Sequence, residues 1–135
     1  MLRNLLAVLF IFTLVMPATL VAAETMPASV KTALESKSFA TYPEAVYCTG
    51  TLEVGIRFAS NKSPDEVRAW YRQKYPEWSV MEQYGSWVLY NGAPGASMSK
   101  VMSGNQIMIQ KNDQIPSWQS LPADMTTEIM ASFPE

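Results

Sequence analysis

The N-terminal segment constrains the fold most, because its pattern predicts that it is absent from the mature protein. A short basic start at residues 1–4 precedes an apolar run at 5–16, and Pro17 ends that run before small residues that close at Ala23. This layout is typical of a secretory signal peptide, and we predict cleavage after Ala23. The alternative is a retained membrane anchor, since the stretch approaches the roughly 20 apolar residues of a spanning helix. Pro17 interrupts the stretch, so we favour cleavage and expect an exported protein, either periplasmic or secreted.

The mature chain is predicted to be one domain, residues 24–135. Cleavage leaves 112 of the 135 residues, and a chain of that length buries about two-thirds of its unfolded surface. Cys48 is the only cysteine, so no internal disulfide can form. The domain must therefore be held together by an ordinary hydrophobic core.

Composition excludes several classes of function. The chain has no histidine, which removes the general base of serine and cysteine triads and the usual zinc ligands. Loss of Arg3 with the leader changes the formal net charge from −2 to −3, and no basic cluster suggests nucleic acid binding. Carboxylate chemistry remains open, but the acidic residues have the density of a soluble surface. We predict a non-catalytic protein without a cofactor.

The first half of the mature chain has clear secondary-structure signals. Residues 27–37 have apolar side chains at helical spacing, which predicts a short amphipathic helix. Residues 45–59 alternate apolar and polar side chains, which predicts a strand with a bulge or break at Gly50. Ser63 and Glu66 are spaced as a capping box, with Pro64 in the first turn, so a helix is predicted from Ser63 to Pro76.

The second half is predicted to be mostly strands. Residues 78–84 and 86–90 are predicted to be two strands around Gly85, joined as a hairpin or a bulged corner. Residues 98–102 and 106–111 are predicted to form a further hairpin across Ser103-Gly104-Asn105. Residues 121–133 have apolar side chains every fourth position, which predicts a closing helix. The order is then α-β-α-β-β-β-β-α. This pattern is typical of an α+β domain with a mainly antiparallel sheet and helices packed on one face.

Two segments resemble a broad group of small bacterial secreted proteins and lipoproteins. They are residues 42–46 (YPEAV) and 63–71 (SPDEVRAWY). The group carries a Tyr-Pro-Gly-Ala opening before a strand, a Ser-Pro-Glu-Glu-Val helix with a Phe-Tyr or Trp-Tyr pair, and a Gly-Trp before the next strand. Here Glu44 replaces the glycine, and Glu77-Trp78 stands in place of Gly-Trp. The resemblance covers about residues 42–90 and implies an α+β fold, without functional residues.

Sulfur-containing side chains give the first candidate site. Met98, Met102 and Met108, with Cys48 as a further ligand, could hold Cu(I), which thioethers and thiolates select. The alternative is that the methionines fill gaps in the core. Cys48 itself could form an intermolecular bridge or act as a redox thiol, but its place in the alternating strand favours a buried, small hydrophobic role.

A polar loop and one tryptophan give the second candidate site. Residues 91–97 (NGAPGAS) are predicted to be a surface loop, and Trp118 lies among polar residues and prolines. An exposed tryptophan could stack on a sugar or anchor a protein partner, whereas packing on the domain edge is the alternative. We expect Trp118, Asn91, Gly92 and Pro94 to contact a partner, and we expect that partner to be a protein or another component of the cell envelope. Cu(I) handling is the second hypothesis.

Overall fold

The computed structural model describes residues 26–112 and 124–134. The predicted signal peptide and Trp118 lie outside these ranges. Within them the chain forms three helices and six strands. In order these are α1 (Ala28–Ser36), β1 (Val46–Thr51), β2 (Gly55–Ser60), α2 (Pro64–Lys74), β3 (Ser79–Gln83), β4 (Ser86–Tyr90), α3 (Met98–Met102), β5 (Gln106–Lys111) and β6 (Thr127–Ser132).

The six strands form one antiparallel sheet in the order β1-β2-β6-β5-β4-β3. The last strand of the chain is inserted between β2 and β5, so the hairpin made by β1 and β2 is joined to the rest of the sheet by a distant segment. The prediction of an α+β fold with a mainly antiparallel sheet is confirmed. The predicted order of elements is not.

Three predicted elements were wrong, and the first is the strand at 45–59 with its bulge or break at Gly50. It is a hairpin with its turn at residues 52–54. Most of the apolar residues of both strands fall on even-numbered positions in the sequence, so the combined pattern resembles one long strand. Gly50 has φ +89, and a Cβ there would collide with the carbonyl oxygen of Gly55. Glycine at 50 is therefore required by the close approach of the two strands.

The other two errors exchange helix and strand. Residues 98–102 form α3 because the side chain of Ser97 accepts a hydrogen bond from the backbone N–H of Lys100, which is an N-cap. Residues 127–132 form the central strand β6, although 121–133 was predicted to be a helix. Pairing on both sides with β2 and β5 overrides the local apolar spacing.

Both longer helices agree with the sequence. Helix α2 starts with the predicted capping box: the side chain of Ser63 accepts from Glu66, and the carboxylate of Glu66 accepts from the backbone N–H of Ser63. Val67 and Tyr71 form its buried side. Arg68 joins the helix to the sheet, because its Nη2 donates to the carbonyl oxygen of Ile109 at 3.1 Å and its guanidinium lies 5.7 Å from the centre of the Trp87 ring.

The sheet has two different faces. The aromatic face is covered by α1 and α2, and nine connected rings pack there: Phe39, Tyr42, Tyr47, Phe58, Trp70, Tyr71, Tyr75, Trp78 and Phe133. The methionine face is the opposite side, where α3 contributes Val101 to a smaller cluster with Val88, Tyr90, Met81 and Met108. The two longer helices thus share one face as predicted, and the short α3 lies on the other.

Candidate functional site

The loop at residues 91–97 connects β4 to α3 at one end of the sheet. We call this the loop end; Tyr90, Gln106 and Ser132 lie there side by side on neighbouring strands. Residues 91–95 are all exposed. The structure therefore places the predicted partner-binding residues Asn91, Gly92 and Pro94 together on the surface.

Hydrogen bonds hold this exposed loop in one conformation. Ser79 Oγ donates to the carbonyl oxygen of Gly92 at 2.7 Å, and the Tyr90 hydroxyl donates to that of Ala93 at 2.8 Å. The backbone N–H of Asn91 donates to the carbonyl oxygen of Asn105 at 3.0 Å. A Cβ on residue 92 would lie 3.3 Å from the Tyr90 ring, so glycine lets the loop fold down onto that ring. The loop is thus preorganised.

Helix α3 continues the same surface. Its buried residue is Val101, which fixes the helix over the sheet, whereas Met102 is 48% exposed. Gln106 Nε2 donates to the carbonyl oxygen of Met102 at 3.1 Å and ties the end of the helix to β5. Residues 91–102 are called the loop–helix surface below. It combines an exposed loop, an exposed methionine and a single charged residue, Lys100.

Trp118 was predicted to share this surface, and it lies outside the described residues. The chain on either side of its segment is described. The backbone N–H of Asn112 donates to the carbonyl oxygen of Thr126 at 3.0 Å. Both residues lie at the end of β5 and β6 opposite the loop end, about 17 Å away for a six-residue strand. The described residues on either side of the segment that contains Trp118 therefore lie at the end of the sheet away from Gly92.

The structure separates one predicted copper ligand, Cys48, from the other three. Met98 and Met102 lie on α3 and Met108 on β5, whereas Cys48 lies on β1. Two strands separate β1 from β5, so Cys48 and Met108 are about 14 Å apart across the sheet. Cys48 cannot share an ion with Met108 at that separation.

Cys48 was also predicted to be buried on the core face, and this was wrong. A register shift between Tyr47 and Thr49 reverses the alternation of β1, so Tyr47 packs against the aromatic core. Cys48 is half-buried, and its Sγ lies 3.6 Å from the carbonyl oxygen of Val46.

A row of methionines crosses the methionine face, and sequence analysis missed it. Met81 pairs with Val88, Val88 with Met108, and Met108 with Met130 on successive strands. All three methionines are half-buried. Met108 and Met130 are direct cross-strand partners, whose Cβ atoms lie about 4.5–5.5 Å apart. Nothing in the sequence indicates this pairing, because β5 and β6 are joined through a segment of irregular composition.

A buried charged group lies beside this row. Glu128 is 1% exposed, and its carboxylate is 3.3 Å from Arg57 Nε and accepts from Gln110 Nε2 at 3.2 Å. These contacts tie β6 to both of its neighbours, and a buried carboxylate needs such partners. In the described ranges no three His, Cys, Asp or Glu side chains are grouped as metal ligands. Sequence analysis missed Glu128 because it placed this residue in a helix.

The aromatic face holds a buried phenol that a proton-transfer mechanism could not use. Tyr71 is fully buried, and burial raises its pKa far above the ordinary value of 10. In residues 26–112 and 124–134 no partner meets full hydrogen-bond geometry at its hydroxyl, and the nearby backbone of Tyr42 only partly opposes the rise in pKa. Burial also raises the pKa of Tyr75, whose hydroxyl accepts from the backbone N–H of Ala40 at 2.9 Å. Both groups are neutral and structural at ordinary pH.

Comparisons with known proteins identify no relative. No protein-family model, no curated protein and no solved structure matches the chain. None of the helices in the described ranges has the length and apolar character needed to cross a membrane. The resemblance to small bacterial secreted proteins stays a prediction, and any proposal about function depends on the geometry above.

Proposed function

We propose that this protein is an exported, non-catalytic domain that binds another component of the cell envelope, namely a protein, through the loop–helix surface. The supporting observation is the exposed loop at residues 91–97, whose conformation is fixed by Ser79, Tyr90 and Asn105. A preorganised loop loses little conformational entropy when it binds, so more of its contact energy contributes to affinity.

The chemistry of the surface favours a protein over a polyanion or a small polar ligand. Lys100 is its one charged residue, and Ala93, Pro94 and Gly95 present small side chains and backbone groups. Met102 adds a flexible apolar side chain, a type that adapts well to protein surfaces. Such a surface offers shape and apolar area, which are the main requirements of a protein interface.

A charge placed on the surface tests this proposal. The mature protein is used to capture partners from its native envelope after chemical cross-linking, and the amount of each captured protein is measured by mass spectrometry. We expect Met102→Lys to reduce the specific partner at least tenfold. The matched control is Gln73→Lys, an exposed position on α2, which should leave capture unchanged. Equal capture by both variants, with unchanged thermal unfolding, would contradict the proposal.

Trp118 is tested in the same assay as a separate hypothesis. If it anchors the partner, Trp118→Ala lowers capture without lowering thermal stability. If it packs on the domain, the substitution lowers thermal stability. Unchanged capture and unchanged stability would remove Trp118 from the interface and leave the loop–helix surface as the proposed site.

Cu(I) handling is the second candidate, with a ligand set different from the one predicted. Met108 and Met130 are direct cross-strand partners, and thioethers are soft ligands that select Cu(I). A titration of the protein with Cu(I) against a chromophoric chelator measures the stoichiometry. If the pair binds the ion, replacing Met108 and Met130 by leucine abolishes one equivalent, whereas replacing Met98 by leucine does not. Equal stoichiometry in all variants would exclude this function for the pair.

A further inference from the structure

The two edge strands of the sheet differ in regularity. Strand β1 is interrupted by the register shift between Tyr47 and Thr49, a type of irregularity that protects an edge from further pairing. Strand β3 pairs with β4 over five successive residues without a shift. Across residues 26–112 and 124–134, the backbone of β3 pairs only with β4. Strand β3 also contains neither proline nor lysine, which commonly block pairing at edges.

The turn between β3 and β4 determines which backbone groups point outward. Tyr84 and Gly85 both have positive φ, at +52 and +78, as in a two-residue type I′ turn. The flanking pair Gln83–Ser86 is then a hydrogen-bonded pair, and hydrogen-bonded and non-hydrogen-bonded pairs alternate from there. Val80 and Glu82 belong to non-hydrogen-bonded pairs. Their N–H and C=O groups therefore point away from β4.

The side chains of β3 present a defined pattern at this edge. Val80 is half-buried against the aromatic core, and Met81 is half-buried against the cluster under α3. Glu82 is exposed. An added strand would extend both apolar clusters through two consecutive residues and would meet one negative charge next to them.

This edge is continuous with the loop–helix surface. The hydroxyl of Ser79, the first residue of β3, donates a hydrogen bond to the carbonyl oxygen of Gly92 in the loop. Met81 packs in the same cluster as Val101 of α3. A partner seated on the loop and α3 therefore lies next to the outward backbone groups of β3.

We propose that the envelope partner adds an extended strand to β3, a contact that rests on the proposed function and specifies it. The inserted segment carries two consecutive apolar residues opposite Met81 and Val80, and a lysine or arginine opposite Glu82. Main-chain hydrogen bonds supply affinity in such strand addition, and the side chains supply selectivity. A second copy of this chain fits less well, because β3 contains no cation to pair with Glu82.

The test uses a defined peptide and two substitutions at one position. The probe is a fluorescein-labelled peptide, Ser-Thr-Lys-Val-Val-Thr-Ser, followed by fluorescence anisotropy. Glu82→Pro removes both the outward N–H and the charge, and proline is tolerated at an edge where the N–H faces outward. Glu82→Thr removes only the charge and keeps the N–H. Thermal unfolding of both variants checks that the domain remains folded.

We expect the peptide to bind the natural protein, with affinity at least tenfold weaker for Glu82→Pro and only a few-fold weaker for Glu82→Thr. Equal binding to the natural protein and to Glu82→Pro, or no binding to the natural protein, would overturn strand addition. A peptide methylated at the backbone nitrogens of its lysine and its second valine, the residues opposite Glu82 and Val80, should lose binding as well, because neither can then donate to the edge; unchanged binding of that peptide would also overturn it. Sedimentation that shows dimers of the natural protein but not of Glu82→Pro would assign the edge to a second copy, against the proposal.

The envelope capture assay separates this inference from the proposed function. If Met102→Lys lowers capture and Glu82→Pro does not, the partner binds the loop–helix surface without adding a strand. If the peptide binds as expected but Met102→Lys leaves capture unchanged, β3 accepts strands while the proposed use of the loop–helix surface fails.

Discussion

The two faces of the sheet are packed differently, although the same strands contribute side chains to both. On β4, Leu89 joins the aromatic core and the adjacent Val88 joins the cluster under α3. The aromatic face is closed by two helices and nine connected rings, with Phe58 and Tyr71 at most 1% exposed. The methionine face has a three-residue buried cluster, and its methionines are half-buried or exposed.

The difference fits the proposal that the two faces divide stability and recognition between them. Aromatic rings supply the largest apolar area per residue and prefer defined edge and stacked geometries, so the aromatic face fixes the fold. Methionine is flexible and tolerates changes in packing, and the short helix α3 has one buried residue, Val101. The methionine face can therefore change its surface with little effect on the fold, which suits a binding role.

The largest expected effect compares one residue from each face. We expect Phe58→Ala to lower the free energy of unfolding by about 3–5 kcal/mol, because it leaves a cavity in a closed core. Met108→Ala should cost only about 1–2 kcal/mol, because the side chain is already half-buried. Chemical denaturation of both variants measures the two values. Similar losses would contradict the division between the faces.

A smaller effect follows from the buried phenol of the aromatic face. The folded protein holds the Tyr71 proton more tightly than the unfolded chain, whose pKa is about 10. Stability is therefore retained below pH 10 and falls as the pH rises above it, by up to about 1.4 kcal/mol per pH unit from this group. Tyr71→Phe should reduce the alkaline loss and change stability little at pH 7, since no partner among the described residues meets full hydrogen-bond geometry at the hydroxyl.

Denaturation between pH 8 and 11 measures this effect. The control is Tyr84→Phe, at the tip of the β3–β4 turn, where the side chain is 92% exposed; it should leave the alkaline slope unchanged. The same slope in the natural protein and in Tyr71→Phe would show that the aromatic face does not hold this phenol neutral.

The smallest effect concerns the loop. Ser79→Ala removes the hydrogen bond to Gly92, and we expect a loss of about 0.5–1 kcal/mol in stability. Hydrogen exchange in residues 91–97 should become faster. Ser86→Ala, on the same hairpin, serves as control and should change neither quantity. Unaltered exchange in Ser79→Ala would mean that the loop does not depend on β3 for its conformation.

Sequence patterns identified the elements whose signals are local. The capping box at Ser63 and Glu66 defines α2, and the two strand segments on either side of Gly85 define the β3–β4 hairpin. These patterns depend on neighbouring residues only, so they can be recognised without tertiary structure. The surface loop at 91–97 was found for the same reason, through its glycines and proline.

Elements determined by distant contacts could not be found in this way. Strand β6 is fixed by pairing with β2 and β5, and its apolar spacing also fits a helix. The methionine row and the Arg57–Glu128 pair exist only because β6 is central. Sequence analysis could therefore identify only the loop of the candidate site on this face. It grouped Met108 with Cys48, whereas in the sheet Met108 pairs with Met130.

Site-specific photo-cross-linking tests the central claim most directly. A photoreactive amino acid is placed at Ser99 on the exposed side of α3 or at Gln73 on α2, and the protein is irradiated in its native envelope. If the partner binds the loop–helix surface, the probe at Ser99 gives one defined protein adduct and the probe at Gln73 gives none. An adduct from Gln73 alone, or the same adducts from both positions, would contradict the assignment of recognition to the methionine face.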